Sequence, residues 1–128
     1  MKKVEKKVIE MKFNQDTSFI VGETYCKYWV YDITKPLVVT FAPAGSLIRK
    51  DDIEKNPSIW GFDFVKQEGL NVLSFMAIER NHWYLFPEFQ EFLKSLKQEI
   101  SIFKIRLGYG ASMGGVCYLC VLKYFKFR

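Results

Sequence analysis

The sequence predicts an α/β domain with a mostly parallel sheet and antiparallel strands at its amino-terminal end. Three observations carry that expectation. From residue 37 onward, apolar runs of strand length alternate with segments of helical spacing. Those runs are continuously apolar, as strands buried on both faces of a parallel sheet are. A glycine-rich turn, Gly110-Ala111-Ser112-Met113-Gly114, then follows the last strand run and precedes another apolar segment. The 128 residues make a single domain, 1–128, long enough to bury a substantial core.

The elements follow in order. Ile9, Met11 and Phe13 alternate with charged residues, which predicts a half-exposed strand. Phe19 to Val21, the turn pair Gly22-Glu23, and the aromatic run Thr24 to Tyr31 predict an antiparallel hairpin. Asp32 to Pro36 is a breaker. Leu37 to Phe41 then reads as a buried strand ending in a small-residue loop, Ala42 to Ser46. Ser58 to Glu68 has helical spacing, with Trp60, Phe64 and Val65 on one side and Gly69 as the stop. Leu70 to Met76 is the next buried strand. Pro87 opens a helix in its first turn beside Glu88, and Phe89, Phe92, Leu93, Leu96 and Ile100 form its apolar stripe. A strand from Phe103 leads into the glycine turn, and Met113 to about Phe125 is the expected last helix. Strand–helix alternation of this kind means right-handed crossovers.

Composition narrows the function classes. A chain 49% apolar and 17% aromatic is globular rather than disordered. Nineteen basic against fourteen acidic residues leave a net charge of +5, but the densest run, Lys2 to Lys7, is broken by Glu5 and reads as a solvated segment. Zinc-finger spacing and interleaved basic and aromatic residues are absent, so no nucleic-acid partner is expected. The amino terminus lacks the apolar core of a signal peptide, because Glu10 and Lys12 interrupt it. No run approaches the ~18 apolar residues of a membrane span. Cys26, Cys117 and Cys120 are an odd number and read as free thiols in a reducing cytoplasm. Cys117 and Cys120 have redox-motif spacing, but inside a helix-like apolar stretch, where packing is the plainer reading. Two near thiols and one distant histidine make no zinc site, and neither a metal nor a cofactor is expected.

The Gly-x-Ser-x-Gly pattern at 110–114 carries the chemistry. A serine at the apex of a tight strand-to-helix turn has a strained backbone, and strand and helix approach closely on either side of it. Side chains two before and two after would collide, so both positions want glycine, here Gly110 and Gly114. The following helix would aim its amino terminus at the serine, where an oxyanion would form. Two plainer readings stand beside this one. Gly108 to Gly114 loosely imitates a dinucleotide-binding turn, with its glycine spacing off by one residue, and the turn could also be purely structural.

With strand 37–41, strand 70–76 and the elbow at 110–114 in this order, the chain resembles the amino-terminal half of an α/β-hydrolase, over roughly residues 8–125. The stretch Arg80-Asn-His-Trp-Tyr-Leu-Phe-Pro-Glu88, with Tyr-Gly-Ala-Ser-Met-Gly-Gly, looks most like hydrolase-like proteins found beside bacterial surface-polysaccharide genes. The resemblance implies Ser112 as nucleophile and the Met113 N–H as the first oxyanion donor. It takes the second donor from the loop after the third strand, here Ala44 or Gly45, since Pro43 has no N–H. Ser46 in that loop could instead simply cap its turn.

The departure from the family pattern is as informative. In these enzymes the acid and then the histidine follow the serine. None of the sixteen residues after Ser112 is a histidine or a carboxylate. The sole histidine, His82, follows the 70–76 strand, which in the family's order is separated from the elbow strand by the 37–41 strand. Two strand spacings make about 10 Å, too far for a direct hydrogen bond. His82 and Trp83 are therefore expected to line a pocket rather than activate the serine. Two functions compete. One is an esterase, thioesterase or acyl-transfer protein acting on a small ester or acyl substrate, impaired by the missing partners. The other is a catalytically silent fragment or interaction module that keeps the first half of the fold. Either way the Phe103–Tyr109 strand is expected at a sheet edge, blunted by Lys104 and Arg106, with self-association or a complementary chain covering it.

Overall fold

The computed structural model describes residues 11–80 and 87–110. Its first unit is the expected hairpin: β1 (Thr17–Val21) and β2 (Thr24–Trp29) pair antiparallel, with Val21 opposite Thr24. A two-residue connection of that kind needs positive φ, which Gly22 supplies at +58°. After the breaker come β3 (Leu37–Phe41), the short β4 (Leu47–Ile48), a 3-10 helix (Lys50–Lys55) and α1 (Phe62–Gln67). Then follow β5 (Asn71–Ile78), α2 (Pro87–Glu99), a single 3-10 turn (Ile100–Ile102) and β6 (Arg106–Gly110).

The described strands form one mixed sheet in the order β1-β2-β5-β3-β6, with β4 beside β5 beyond the end of β3. β2 runs antiparallel to β5, whereas β3 runs parallel to both β5 and β6. The sheet is thus antiparallel at its amino-terminal side and parallel from β5 outward. β5 lies at its centre, and all eight of its residues are buried.

The two helices cover opposite faces. On one, Phe89, Phe92, Leu93 and Leu96 of α2 pack with Ile100 and Phe103 onto Val39, Phe41, Leu73 and Phe75. Phe75 anchors that layer, stacked on Phe41 at 5.4 Å and edge-on to Phe89 at 5.2 Å. Full burial of each such side chain stabilises the fold by roughly 1.5–3 kcal/mol. On the other face, Phe62 and Val65 of α1 pack onto Tyr25, Val38, Val72 and Met76.

A buried asparagine ties the start of the parallel part together. Asn71 Oδ1 accepts the Tyr31 N–H at 2.8 Å and, more weakly, the Asp32 N–H at 3.3 Å. Its Nδ2 donates to the carbonyls of Asp32 (2.8 Å), Lys35 (3.0 Å) and Pro36 (3.2 Å). One side chain thus satisfies the connection from β2 to β3.

Several expectations need correction. The helix expected over 58–68 is one and a half turns long. Phe64, expected on its buried side, is 66% exposed, while Phe62 and Val65 face the core. Gly61 explains the late start: at φ +85° it turns the chain, and Trp60 before it lies outside the helix. The expected strand at 9–13 is reduced, within the described residues, to one bridge between Phe13 and Val30. Its pairing is parallel, and the neighbouring Lys12 N–H donates to Tyr28 Oη instead of extending a ladder. The last strand begins at Arg106 rather than Phe103, because Phe103 and Ile100 are drawn into the α2 core. Arg106 does not blunt the edge, since its guanidinium turns back to the carbonyls of Ile100 (3.5 Å) and Phe103 (3.2 Å). The expected helix from Met113, and Cys117 and Cys120 within it, lie outside the described residues.

Candidate active site

The connections of the sheet decide where a site is possible. From β3 the chain crosses one face through α1 to reach β5 on one side. From β5 it crosses the opposite face through α2 to reach β6 on the other side of β3. The connections leaving the carboxyl ends of β3 and β5 thus go to opposite faces, and open α/β sheets bind ligands at such an end. At that same end of the sheet, on the other side of β3, Phe41 is the register partner of Gly110.

The loop Ala42–Ser46 follows β3 at this end of the sheet. Its first N–H is committed, as Ala42 donates to Phe75 O at 3.0 Å. Pro43 has none to give. The Ser46 N–H closes a turn onto Pro43 O at 3.1 Å, so the turn-closing reading of Ser46 is the one its backbone displays. Gly45 sits third in that turn at φ +92°, the conformation a type II turn reserves for glycine. An added Cβ there would meet nothing within 4 Å, so backbone conformation rather than close packing asks for glycine. Ala44 and Gly45 are both exposed at the loop tip, and the Ala44 N–H makes no hydrogen bond among the described residues.

On the β6 side the structure brings Gly110, the first glycine of the Gly-x-Ser-x-Gly pattern, to the carboxyl edge of the sheet next to the start of this loop. Ser112, Met113 and Gly114 lie outside the described residues, as do His82 and Trp83. The strand order does match the expected separation: β3 stands between β5, which leads toward His82, and β6, which leads toward Ser112.

Sequence reasoning did not anticipate the supports beneath this edge. Thr40, one residue before the end of β3, bonds through its hydroxyl to Ser74 Oγ at 2.6 Å and to Trp60 O at 3.2 Å. Gly61 lies so close that a Cβ would come within 3.0 Å of the Thr40 side chain. This pinning lays the Trp60 ring on Tyr109, with centroids 5.1 Å apart and planes inclined by 17°. Tyr109 immediately precedes Gly110, so α1's leading segment braces the strand that ends there. The signal was in the Trp60-Gly61 pair, where a glycine interrupts an otherwise helical spacing.

Elsewhere the described residues hold little reactive chemistry. The Cys26 thiol is fully buried, and desolvation pushes its pKa well up, opposed only weakly by a backbone hydrogen bond from Val21. It is an inert core residue. The charged cleft at the end of β5 is a surface arrangement in which Arg80 forks onto the Glu23 carboxylate at 2.9 and 3.1 Å. Among the described residues no three His, Cys, Asp or Glu side chains gather as a metal site would need. None of the described helices is long and apolar enough to cross a membrane. No family model, curated protein or solved structure matches the chain.

Proposed function

We propose that the chain presents Ser112 as the nucleophile of an acyl-transfer site of the esterase or thioesterase kind. The observation that carries the reading is the pairing of β6 with β3, which puts Gly110 opposite Phe41 at the carboxyl end of the sheet. Gly110 opens the Gly-x-Ser-x-Gly pattern and Phe41 precedes the Ala42–Ser46 loop, which supports the two halves of the site being neighbours. In this reading Ser112 Oγ attacks the carbonyl carbon of an ester or thioester. The N–H groups of Met113 and of Ala44 or Gly45 hold the oxygen on which negative charge develops.

A serine hydroxyl without a base to take its proton is a weak nucleophile. In this reading His82 is not that base, because β3 separates the strand leading to His82 from the strand leading to Ser112. The same facts favour a second reading, a silent interaction module on this half-sheet.

An active-site serine probe of the fluorophosphonate type separates the two. Slow labelling mapped to Ser112 and abolished by Ser112→Ala is the outcome expected of the acyl-transfer site. Labelling no different in Ser112→Ala would leave the silent module. Fast stoichiometric labelling would mean that a base reaches the serine, with His82→Ala the next variant to make.

A further inference from the structure

We propose that the cleft where the β1–β2 hairpin meets the end of β5 binds a free aliphatic α-amino acid as its zwitterion. The cleft has a volume of about 460 Å³. Ile20 of β1, Ile53 of the 3-10 helix and Ile78 of β5 give it an apolar surface of branched aliphatic side chains, with no aromatic ring in the lining. Its charged lining is Glu23, Lys50, Glu79 and Arg80, two acids and two bases. A concave apolar surface with a few convergent polar groups is the form a small-molecule site takes. Because the lining charges cancel, a ligand that carries both signs is favoured over an ion of either sign.

The four charges are not equivalent. Arg80 forks onto the Glu23 carboxylate at 2.9 and 3.1 Å and forms a paired rim. Lys50 and Glu79 line the same cleft yet make no ion pair with each other. Glu79 Oε2 accepts the backbone N–H of Lys50 at 2.6 Å, which leaves Glu79 Oε1 and the Lys50 ammonium without a partner among the described residues. The backbone holds Glu79 in place. It stands at φ +68°, rare for a residue other than glycine, and the Arg80 N–H bonds back to Ile78 O at 2.8 Å, the pattern of a γ-turn. The Glu79 N–H donates to Ile48 O at 2.8 Å and the Ile78 N–H to Glu23 O at 2.9 Å, so β4 and the hairpin both fix the turn. Backbone strain of this kind clusters at ligand clamps and active sites. An aliphatic amino acid completes the arrangement. Its ammonium meets Glu79 Oε1, its carboxylate meets Lys50 Nζ, and its side chain lies on the isoleucines. This assignment is independent of any chemistry at Ser112.

L-leucine is the probe, titrated into the whole chain and followed by amide and methyl correlation spectra. Saturable shifts centred on Ile20, Ile53 and Ile78 are expected. Blocking one charge of the ligand, in N-acetyl-leucine or in leucinamide, should weaken binding roughly tenfold, since each loses a charge-assisted contact. Glycine, with both charges and no apolar body, should also bind more weakly than L-leucine. Lys50→Gln and Glu79→Gln should each weaken L-leucine roughly tenfold with the melting temperature unmoved, because both side chains are exposed and glutamine at 79 still accepts the Lys50 N–H. Leucinamide binding as tightly as L-leucine would mean that the cleft takes the amino end of a peptide, and would overturn the assignment. No saturable shift, shifts centred elsewhere, N-acetyl-leucine binding as well as L-leucine, or an affinity unaltered in both variants would overturn it as well.

Discussion

Replacing Asn71 by Ala should cost this protein about 3 kcal/mol of stability. Asn71 is fully buried, and its amide accepts from Tyr31 and Asp32 and donates to Asp32, Lys35 and Pro36. The groups do not weigh equally. Asp32 O also accepts the Lys35 N–H at 3.0 Å, and Pro36 O the Asn71 N–H at 3.2 Å, so both keep a partner in the variant. The groups left orphaned are the Tyr31 N–H, the weakly bound Asp32 N–H and the Lys35 carbonyl. Each stranded polar group costs about 1–3 kcal/mol, and water reaching the half-buried loop trims the sum to about 3. Against a total stability of about 5–15 kcal/mol that is a large loss, worth roughly 10 °C in Tm. Urea unfolding followed by far-ultraviolet dichroism measures it, with an unchanged denaturant slope showing that the change lies in the native contacts. Asn71→Asp sharpens the argument, because a carboxylate keeps the acceptor but aims negative charge at three carbonyls. It should be destabilised at least as much at neutral pH and recover on acidification, when the protonated acid regains one donor. A loss below about 1 kcal/mol for Asn71→Ala would show that the connection from β2 to β3 holds itself without the amide.

The remaining predictions concern the supports of the site and one surface titration. Gly61→Ala should destabilise by about 2–4 kcal/mol, from positive φ together with a Cβ 3.0 Å from Thr40, and should weaken the Trp60–Tyr109 stack, read by near-ultraviolet dichroism. An intact near-ultraviolet spectrum would separate that stack from the pinning at Thr40. The Asp32 carboxyl is held below its ordinary value by hydrogen bonds from the Thr34 hydroxyl and N–H. A depressed carboxylate pKa contributes stability above the unfolded-state value and loses it as pH falls through the folded one. Thr34→Ala should therefore raise the Asp32 pKa in a carbon-detected titration, and an unmoved pKa would refute the hydroxyl's role.

Much of the fold was legible because burial wrote it into hydropathy. Leu37–Phe41 is buried at every position, and the sequence shows it as an apolar run broken only by Thr40. The α2 stripe from Phe89 to Leu96 is legible for the same reason, since one face of a helix meets the core every three to four residues. What escaped were elements fixed by something other than hydropathy. β4 is two residues long and exists because Leu47 and Ile48 find open backbone on β5 past the end of β3, a partner no local pattern announces. The 3-10 helix at Lys50–Lys55 has no fully buried residue and rests on the core through Ile53 alone, so its sequence carries no apolar period. Phe64 was misassigned because helical spacing gives the face but not the phase, and Gly61 set the phase by delaying the helix start.

The candidate site divides along the same line. The sequence offers a nucleophile-elbow pattern at 110–114, because steric crowding would demand glycines at fixed distances from the serine, and of that pattern the structure describes Gly110 at the end of β6. Its surroundings are set by strand order, which is a property of the whole sheet. The alternation of elements predicted parallel strands, but only the sheet order shows that β6 returns to the far side of β3. Under the acyl-transfer reading proposed above, that placement acts in two opposed ways. It brings the Ala42–Ser46 loop next to the strand that leads to Ser112, where the proposal needs an oxyanion donor. It also inserts β3 between that strand and the one leading to His82. If the proposed serine has oxyanion donors and no base for its proton, it forms a slow covalent adduct with an activated probe and turns over ordinary esters far more slowly still.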